Sequence, residues 1–252
     1  MDEVVVDEVA NPTLDHPVLI EGLPGVAHVG ALAAEHLIEE FDATLVRRIH
    51  SEHFPPQVLI DEETASLTGS EIYALTLGST DVLVLVGDHQ PHTPVGHYRL
   101  TEAYLDIAKD FSAGPILAMG GVPTGELIDE YEVLTISTSN TLADELKEAG
   151  AVGRPGEPAG GIIGISGLLV GLGARRGFET ACLMGETSGY LVDPKSATKL
   201  LRVLESYLGF EVDTGSLDER AEEMQEVIAR IQEMESQSQF DVAADEDLRY
   251  IG

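Results

Sequence analysis

The sequence predicts a three-layer α/β domain, and three observations carry that prediction. Strand and helix patterns alternate over the first two hundred residues or so. Two apolar runs, Asp81 to Gly87 and Pro115 to Met119, are continuous rather than alternating, the pattern of strands covered on both faces. The last core helix is bracketed by Asp193-Pro194 at its start and Gly209 at its end, an N-cap with proline at the first helical position and a glycine stop.

Taken in order, Pro17 to Ile20 is a short apolar strand closed by the turn Gly22-Leu23-Pro24-Gly25. Val29, Leu32, Ala33, His36 and Leu37 then recur at helical spacing. Thr44 to Ile49 reads as a strand, and Val58 to Ile60, Ala65 to Leu67 and Glu71 to Leu77 as an antiparallel meander. After the buried strand at 81–87, Tyr98 to Phe111 carries a helical stripe of Leu100, Ala103, Tyr104, Ile107 and Phe111. The strand Pro115 to Met119 ends at Gly120-Gly121. Val133 to Thr138 is a strand, and Thr141 to Ala149 a helix stopped by Gly150. Residues 150–161 are a Gly- and Pro-rich loop. Ile162 to Leu172 fits either a small-residue helix packed inside or a strand-turn, and Glu179 to Met184 is a further strand. The strands at Leu19, Val84 and Ile116 are expected to run parallel. Beyond the core (1–215), Ser216 to Glu219 forms a capping box for a helix over 216–235. Its apolar stripe of Leu217, Ala221, Met224, Ile228 and Ile231 is too short for a free-standing coiled coil. Residues 236–252 read as a flexible acidic tail with an apolar and aromatic tip.

The chain has 252 residues, 45 acidic against 14 basic, for a formal charge of −31. Acid outnumbers base about threefold, which argues against phosphate recognition and so against a nucleic-acid partner. Such a charge repels itself at ordinary salt, whereas at about 1 M the Debye length falls to roughly 3 Å and the repulsion is screened. Only four lysines accompany ten arginines, and acids run from Asp2 to Asp247, the pattern of a halophile's cytoplasmic protein. The one cysteine, Cys182, sits in an apolar run and reads as a buried small hydrophobe. No signal peptide is expected from the acidic N-terminus, and no run is long enough to span a bilayer, so no membrane partner is expected.

Candidate sites follow the strand ends. Gly22-x-x-Gly25 with Gly30 invites a phosphate-loop reading, but neither the Lys-Ser/Thr of a Walker loop nor G-x-G-x-x-G is present. Tight-turn glycines that let a helix approach a strand are the simpler reading. Asp88, His89, His92 and His97 are metal-ligand types after the central strand, yet Pro91 and Pro94 interrupt their spacing, and a loop at the sheet's carboxyl edge is preferred. Gly120, Gly121 and Glu186 are placed to complete a cleft there with Gly22, Gly25, Asp88 and His89. No nucleophile elbow is present, so no catalytic residue, metal or cofactor is assigned.

Leu19-Ile20-Glu21-Gly22-Leu23-Pro24-Gly25-Val26 with Gly30, the Asp88 to Gly96 turn, Gly120-Gly121, residues 160–173 and Leu191-Val192-Asp193-Pro194 together resemble the archaeal proteasome-assembly-chaperone-like family. The likeness covers roughly residues 16 to 210 and rests on the order and spacing of these segments. It implies a purine-nucleoside-phosphorylase-like core used as a scaffold, assembled into a homo-oligomer, a trimer or tetramer. It also implies partners among proteasome α-subunits or the core particle. Partners of that particle often end in hydrophobic-Tyr-any, whose tyrosine and carboxylate enter a pocket between α-subunits. Here Tyr250 is third from the end, so the carboxylate is displaced by one residue, about 3.3 Å. Leu248, Tyr250, Ile251 and the terminal carboxylate of Gly252 are the expected grip. The rival expectation is a small-molecule enzyme, nucleosidase/phosphorylase-like or an ATP-dependent ligase, using the α/β cleft.

Overall fold

The computed structural model describes residues 4–61, 63–128 and 130–224. The chain opens with strand β1 (Val4–Glu8), then β2 (Val18–Glu21), a 3-10 turn at Val26–His28 and helix α1 (Val29–Glu40). Strands β3 (Thr44–Ser51), β4 (Val58–Asp61), β5 (Thr64–Leu67), β6 (Ser70–Leu77) and β7 (Thr80–Gly87) follow. Helix α2 (Pro94–Asp110) leads to β8 (Ile116–Pro123), β9 (Val133–Ser137) and α3 (Asn140–Glu148). The core closes with α4 (Ile165–Arg175), β10 (Thr180–Thr187) and α5 (Pro194–Leu208). A last helix, α6, is described over 215–224.

Eight strands form one sheet in the order β1-β3-β6-β7-β2-β8-β10-β9. The middle four, β7, β2, β8 and β10, are parallel, as expected for Leu19, Val84 and Ile116, and the flanking pairs are antiparallel. Successive residues of β2 point to opposite faces. Val18 and Ile20 join the core under α1, α3 and α5, and Leu19 joins the core under α2 and α4. Both faces are thus covered, which is why the central strands are continuous in apolar residues. Leu217 of α6 is also buried in the first core, so this helix docks on its own domain.

Five expectations need correction. Strand β1 was not anticipated; its Val-Val-Val-Asp-Glu is a partly exposed edge paired to β3, and its acids mask the strand signal. The meander is broken: β4 and β5 pair only with each other as a separate hairpin, while β6 pairs with β3 and β7. Helix α2 starts four residues early, because Thr93 caps the Gly96 N–H and Pro94 occupies the first turn. Gly120 and Gly121 lie within β8 rather than after it, paired with Met184 and Gly185 of β10. Helix α6 begins at 215, one residue past Thr214, whose carbonyl accepts the Asp218 N–H, so the expected Ser216 capping box is not the start signal. The ambiguous stretch 162–172 resolves into α4, a helix.

Candidate functional site

The parallel strands β2 and β7 are neighbours, but their outgoing connections diverge. The chain leaves β2 for α1 on one face and leaves β7 for α2 on the other. Such a reversal opens a crevice at the carboxyl ends of the two strands, the usual place for a ligand in an open α/β sheet. A cleft of about 560 Å³ lies there. Pro24 and His28 come from the β2 turn and Asp88 from the end of β7, with Glu35 from α1 and Arg48 from β3. Leu59, Ser66 and Leu67 of the β4–β5 hairpin form its outer wall.

Several of these groups are already engaged. Glu71 accepts from the Arg48 guanidinium at 2.8 Å and from the Tyr73 hydroxyl at 2.7 Å, and burial with that carboxylate pushes the phenol up to about 12. Asp88 accepts the Gly69 N–H at 3.0 Å and so ties the end of β7 to the turn before β6. Desolvation, then the neighbouring Glu39, holds the Glu35 carboxyl above the ordinary carboxylate range. Ala27 and His28 both adopt left-handed backbone, φ 52° and 54°, a strained setting for residues with a Cβ. The Asp193 N–H holds the Ala27 carbonyl at 3.0 Å, so the cap of α5 pins this turn.

The cleft residues read from the sequence are spread along the whole carboxyl edge. Gly22 and Gly30 are contact glycines: a Cβ on Gly22 would overlap Ala34, and one on Gly30 the Met119 carbonyl. Gly121 plays the same part, its Cβ position lying 2.6 Å from the Val26 carbonyl oxygen. Gly25 and Gly120 have room for a side chain. His89 turns away from the cleft, its ring in contact with the Gln57 amide at 2.6 Å. Asp88, His89, His92 and His97 do not converge; among the described residues no three His, Cys, Asp or Glu side chains are grouped to hold a metal ion. Glu186 is buried and paired with Arg154 at 2.7 Å, and Arg154 also pairs with Glu132 and Glu157, fastening the 150–161 loop to β10. Asp88 and Glu186 stand three strands apart, roughly 14 Å, too far to act as acid and base on one bond. Leu248, Tyr250, Ile251 and Gly252 lie outside the described residues.

The residue that sequence reasoning passed over is Glu21. It ends β2 fully buried, facing the α2/α4 layer. One carboxyl oxygen accepts the Leu23 N–H at 3.0 Å and the Ser166 hydroxyl at 3.3 Å, while Oε2 has no partner. Burial raises its pKa to about 7, against the lowering effect of those hydrogen bonds. Around it the loops are stitched together: Gln90 donates to the Pro24 carbonyl at 2.8 Å and accepts the Ile165 N–H at the start of α4 at 3.2 Å. Cys182 is buried, and burial holds its thiol well above the ordinary range, which suits the packing role expected of it.

The architecture defines a class: a two-sided α/β scaffold with a switch-point cleft, whose carboxylates there are mostly bound up in holding loops together. The chain belongs to the PAC2 family, whose model matches residues 19–232. It is 37% identical over 244 residues to the uncharacterized protein MJ1210 of Methanocaldococcus jannaschii, covering 95% of this chain and 93% of that one. Among solved structures it is similar to Pyrococcus furiosus PbaB, an archaeal proteasome activator, at 34% identity and TM-score 0.87, covering 92% of this chain and 100% of that one. It is also similar to PbaA of the same organism, an archaeal homolog of proteasome-assembly chaperone, at 27% identity and TM-score 0.76, covering 98% and 99%. Among the described residues no helix is long and apolar enough to cross a membrane.

Proposed function

We propose that this protein is a proteasome assembly chaperone-like or core-particle-binding factor that acts through its C-terminal tail. The observation that carries the reading is the near full-length likeness to a proteasome activator at 34% identity. Its partners would be proteasome α-subunits or the core particle, met in a high-salt cytoplasm, and the phosphorylase-like core would serve as a scaffold rather than a catalyst. The division into core 1–215, helix 216–235 and tether 236–252 belongs to this proposal.

The mechanism is a tethered grip. A coil of 17 residues spans roughly 20–25 Å root-mean-square, enough to search for a pocket without moving the body. Leu248, Tyr250, Ile251 and the Gly252 carboxylate supply an aromatic anchor, apolar flanks and a charge. Each arm binds weakly, and a trimer or tetramer presenting several arms gains avidity while each contact stays reversible. That suits a factor that must hold a partner and then let go.

The enzyme reading has one observation in its favour, the position of the switch-point cleft. A single titration series separates the two. Tyr250→Ala should weaken core-particle binding at least about tenfold, as expected for a buried aromatic anchor, with the melting temperature unchanged. Unweakened binding, together with saturable heat on adding nucleotide in molar KCl, would favour the enzyme.

A further inference from the structure

Helix α6, described over 215–224, runs from the core to the carboxyl edge of the sheet. Leu217 near its start is buried with α1 and α5. Ala221 and Met224, one and two turns later, line a hollow with Leu127 and Tyr131 of the β8–β9 loop and Leu191 and Val192 before the α5 cap. The hollow holds about 40 Å³, far below the roughly 300 Å³ of a small ligand pocket, so it is a seam between α6 and the body. Apolar surface continues past the seam. Leu127 is 56% and Val192 37% exposed although both line it. Tyr190, 74% exposed, is held in the same region by its hydroxyl, which donates to the Gly125 carbonyl at 3.1 Å.

The chain that follows Met224 has the pattern to cover that surface. Residues 222–235 contain neither glycine nor proline, and most of them are Glu, Gln, Met, Ala or Arg, all good helix formers. Leu217, Ala221, Met224, Ile228 and Ile231 keep alternating spacings of four and three, and the first three of them face the body. On one continuous helix Ile228 and Ile231 share the Met224 face and lie about 6 and about 10 Å beyond it. Glu226 and Arg230 fall on the opposite face, toward water.

We infer that residues 225–234 of this chain continue α6 along the carboxyl edge and cover Leu127, Tyr190 and Val192. A second copy or a separate partner would have to displace a segment that begins at the seam itself, where a tether of no length keeps its effective concentration at least in the millimolar range. The arm is then rooted beside Asp193, whose N–H pins the Ala27 carbonyl, so residues 236–252 search from the end of the molecule that carries the switch-point cleft. The inference uses neither the tip of the tail nor its partner, and it stands or falls apart from the proteasome reading.

The test is hydrogen exchange of the full chain in molar KCl, read by mass spectrometry. Residues 225–234 should exchange at least about tenfold more slowly than the same sequence as a free peptide, and equally so on dilution of the protein. Ile228→Ser with Ile231→Ser should erase that slowing, and serine has nearly the helix propensity of isoleucine, so the loss reports contact. On the body side, Leu127→Ser with Val192→Ser should erase it too, with exchange in β2, β7 and β8 unchanged. Glu226→Gln with Arg230→Gln should leave it in place. Exchange of 225–234 as fast as the free peptide, or slowing that survives either serine pair, would overturn the inference. So would slowing that is lost on dilution, which would give the berth to a second copy, or slowing around Leu127 that appears only when core particle is added, which would give it to that partner.

Discussion

Gly30→Ala is expected to destabilise the fold by about 2–3 kcal/mol, although helix propensity alone favours alanine by about 1 kcal/mol. Gly30 lies in the first turn of α1, directly over β8. Its Cβ would overlap the carbonyl oxygen of Met119 and press on the backbone nitrogen of Gly120, which sit in the middle of a parallel ladder and have no flexible side chain to give way. Relief requires α1 to lift, and α1 carries Val29, Ala33, Ala34 and Leu37 of the core. Gly25→Ala is the control: its φ is −153° and the nearest atom to a new methyl is 3.9 Å away, so the effect should stay within about 0.5 kcal/mol. Urea titrations in molar KCl measure both, and equal midpoints for the two variants would show that the helix-strand approach is not what these glycines serve.

Glu21 makes stability fall as pH rises. Its pKa is about 7 in the fold against 4.5 for an ordinary, solvated glutamate. Between those values the folded chain keeps a proton that the unfolded chain releases, so this group stabilises least above pH 7. The shift amounts to about 3 kcal/mol in full, of which about 2 kcal/mol falls between about pH 5.5 and 8.5. Glu21→Gln removes the titration while keeping an oxygen for the Leu23 N–H. Native and variant stabilities measured across that range should therefore diverge in slope, the native chain falling more steeply. Parallel curves would mean that the carboxyl is solvated in solution and that Ser166 and the start of α4 do not seal it.

Much of the core was legible because local and tertiary signals agree there. Asp193-Pro194 and Gly209 mark α5 by capping chemistry that the structure repeats in detail, with Asp193 accepting the Ser196 N–H and Gly209 at φ 72°. The same chemistry at Thr93-Pro94 was obscured by Pro91 and Pro94, which look like breakers when counted together. Residues 162–172 were ambiguous because their glycines lower helix propensity. At Gly173, in the last turn of α4 just past that stretch, the reason for glycine is packing: a Cβ there would come within 2.8 Å of the Thr180 methyl on β10. The alternation in Val58-Leu59-Ile60 and Ala65-Ser66-Leu67 identifies strands but not their partners, so a hairpin standing alone looked like part of a meander. Asp88 lines the cleft, where the end of a strand can be read from sequence, whereas Gly22 and Gly25 stand in the adjoining turn and do not line it. Glu21 was missed because its burial depends on Ser166, a neighbour 145 residues further along the chain.

The central claim, a rigid body that grips through its last residues, is tested most directly by truncation. The full chain and a chain ending at residue 247 should be titrated against purified archaeal core particle in molar KCl, with mass and melting temperature checked in parallel. The account predicts that truncation abolishes binding while oligomer mass and melting temperature stay the same. Binding of the truncated chain at undiminished affinity would contradict it and move the recognition surface onto the folded core.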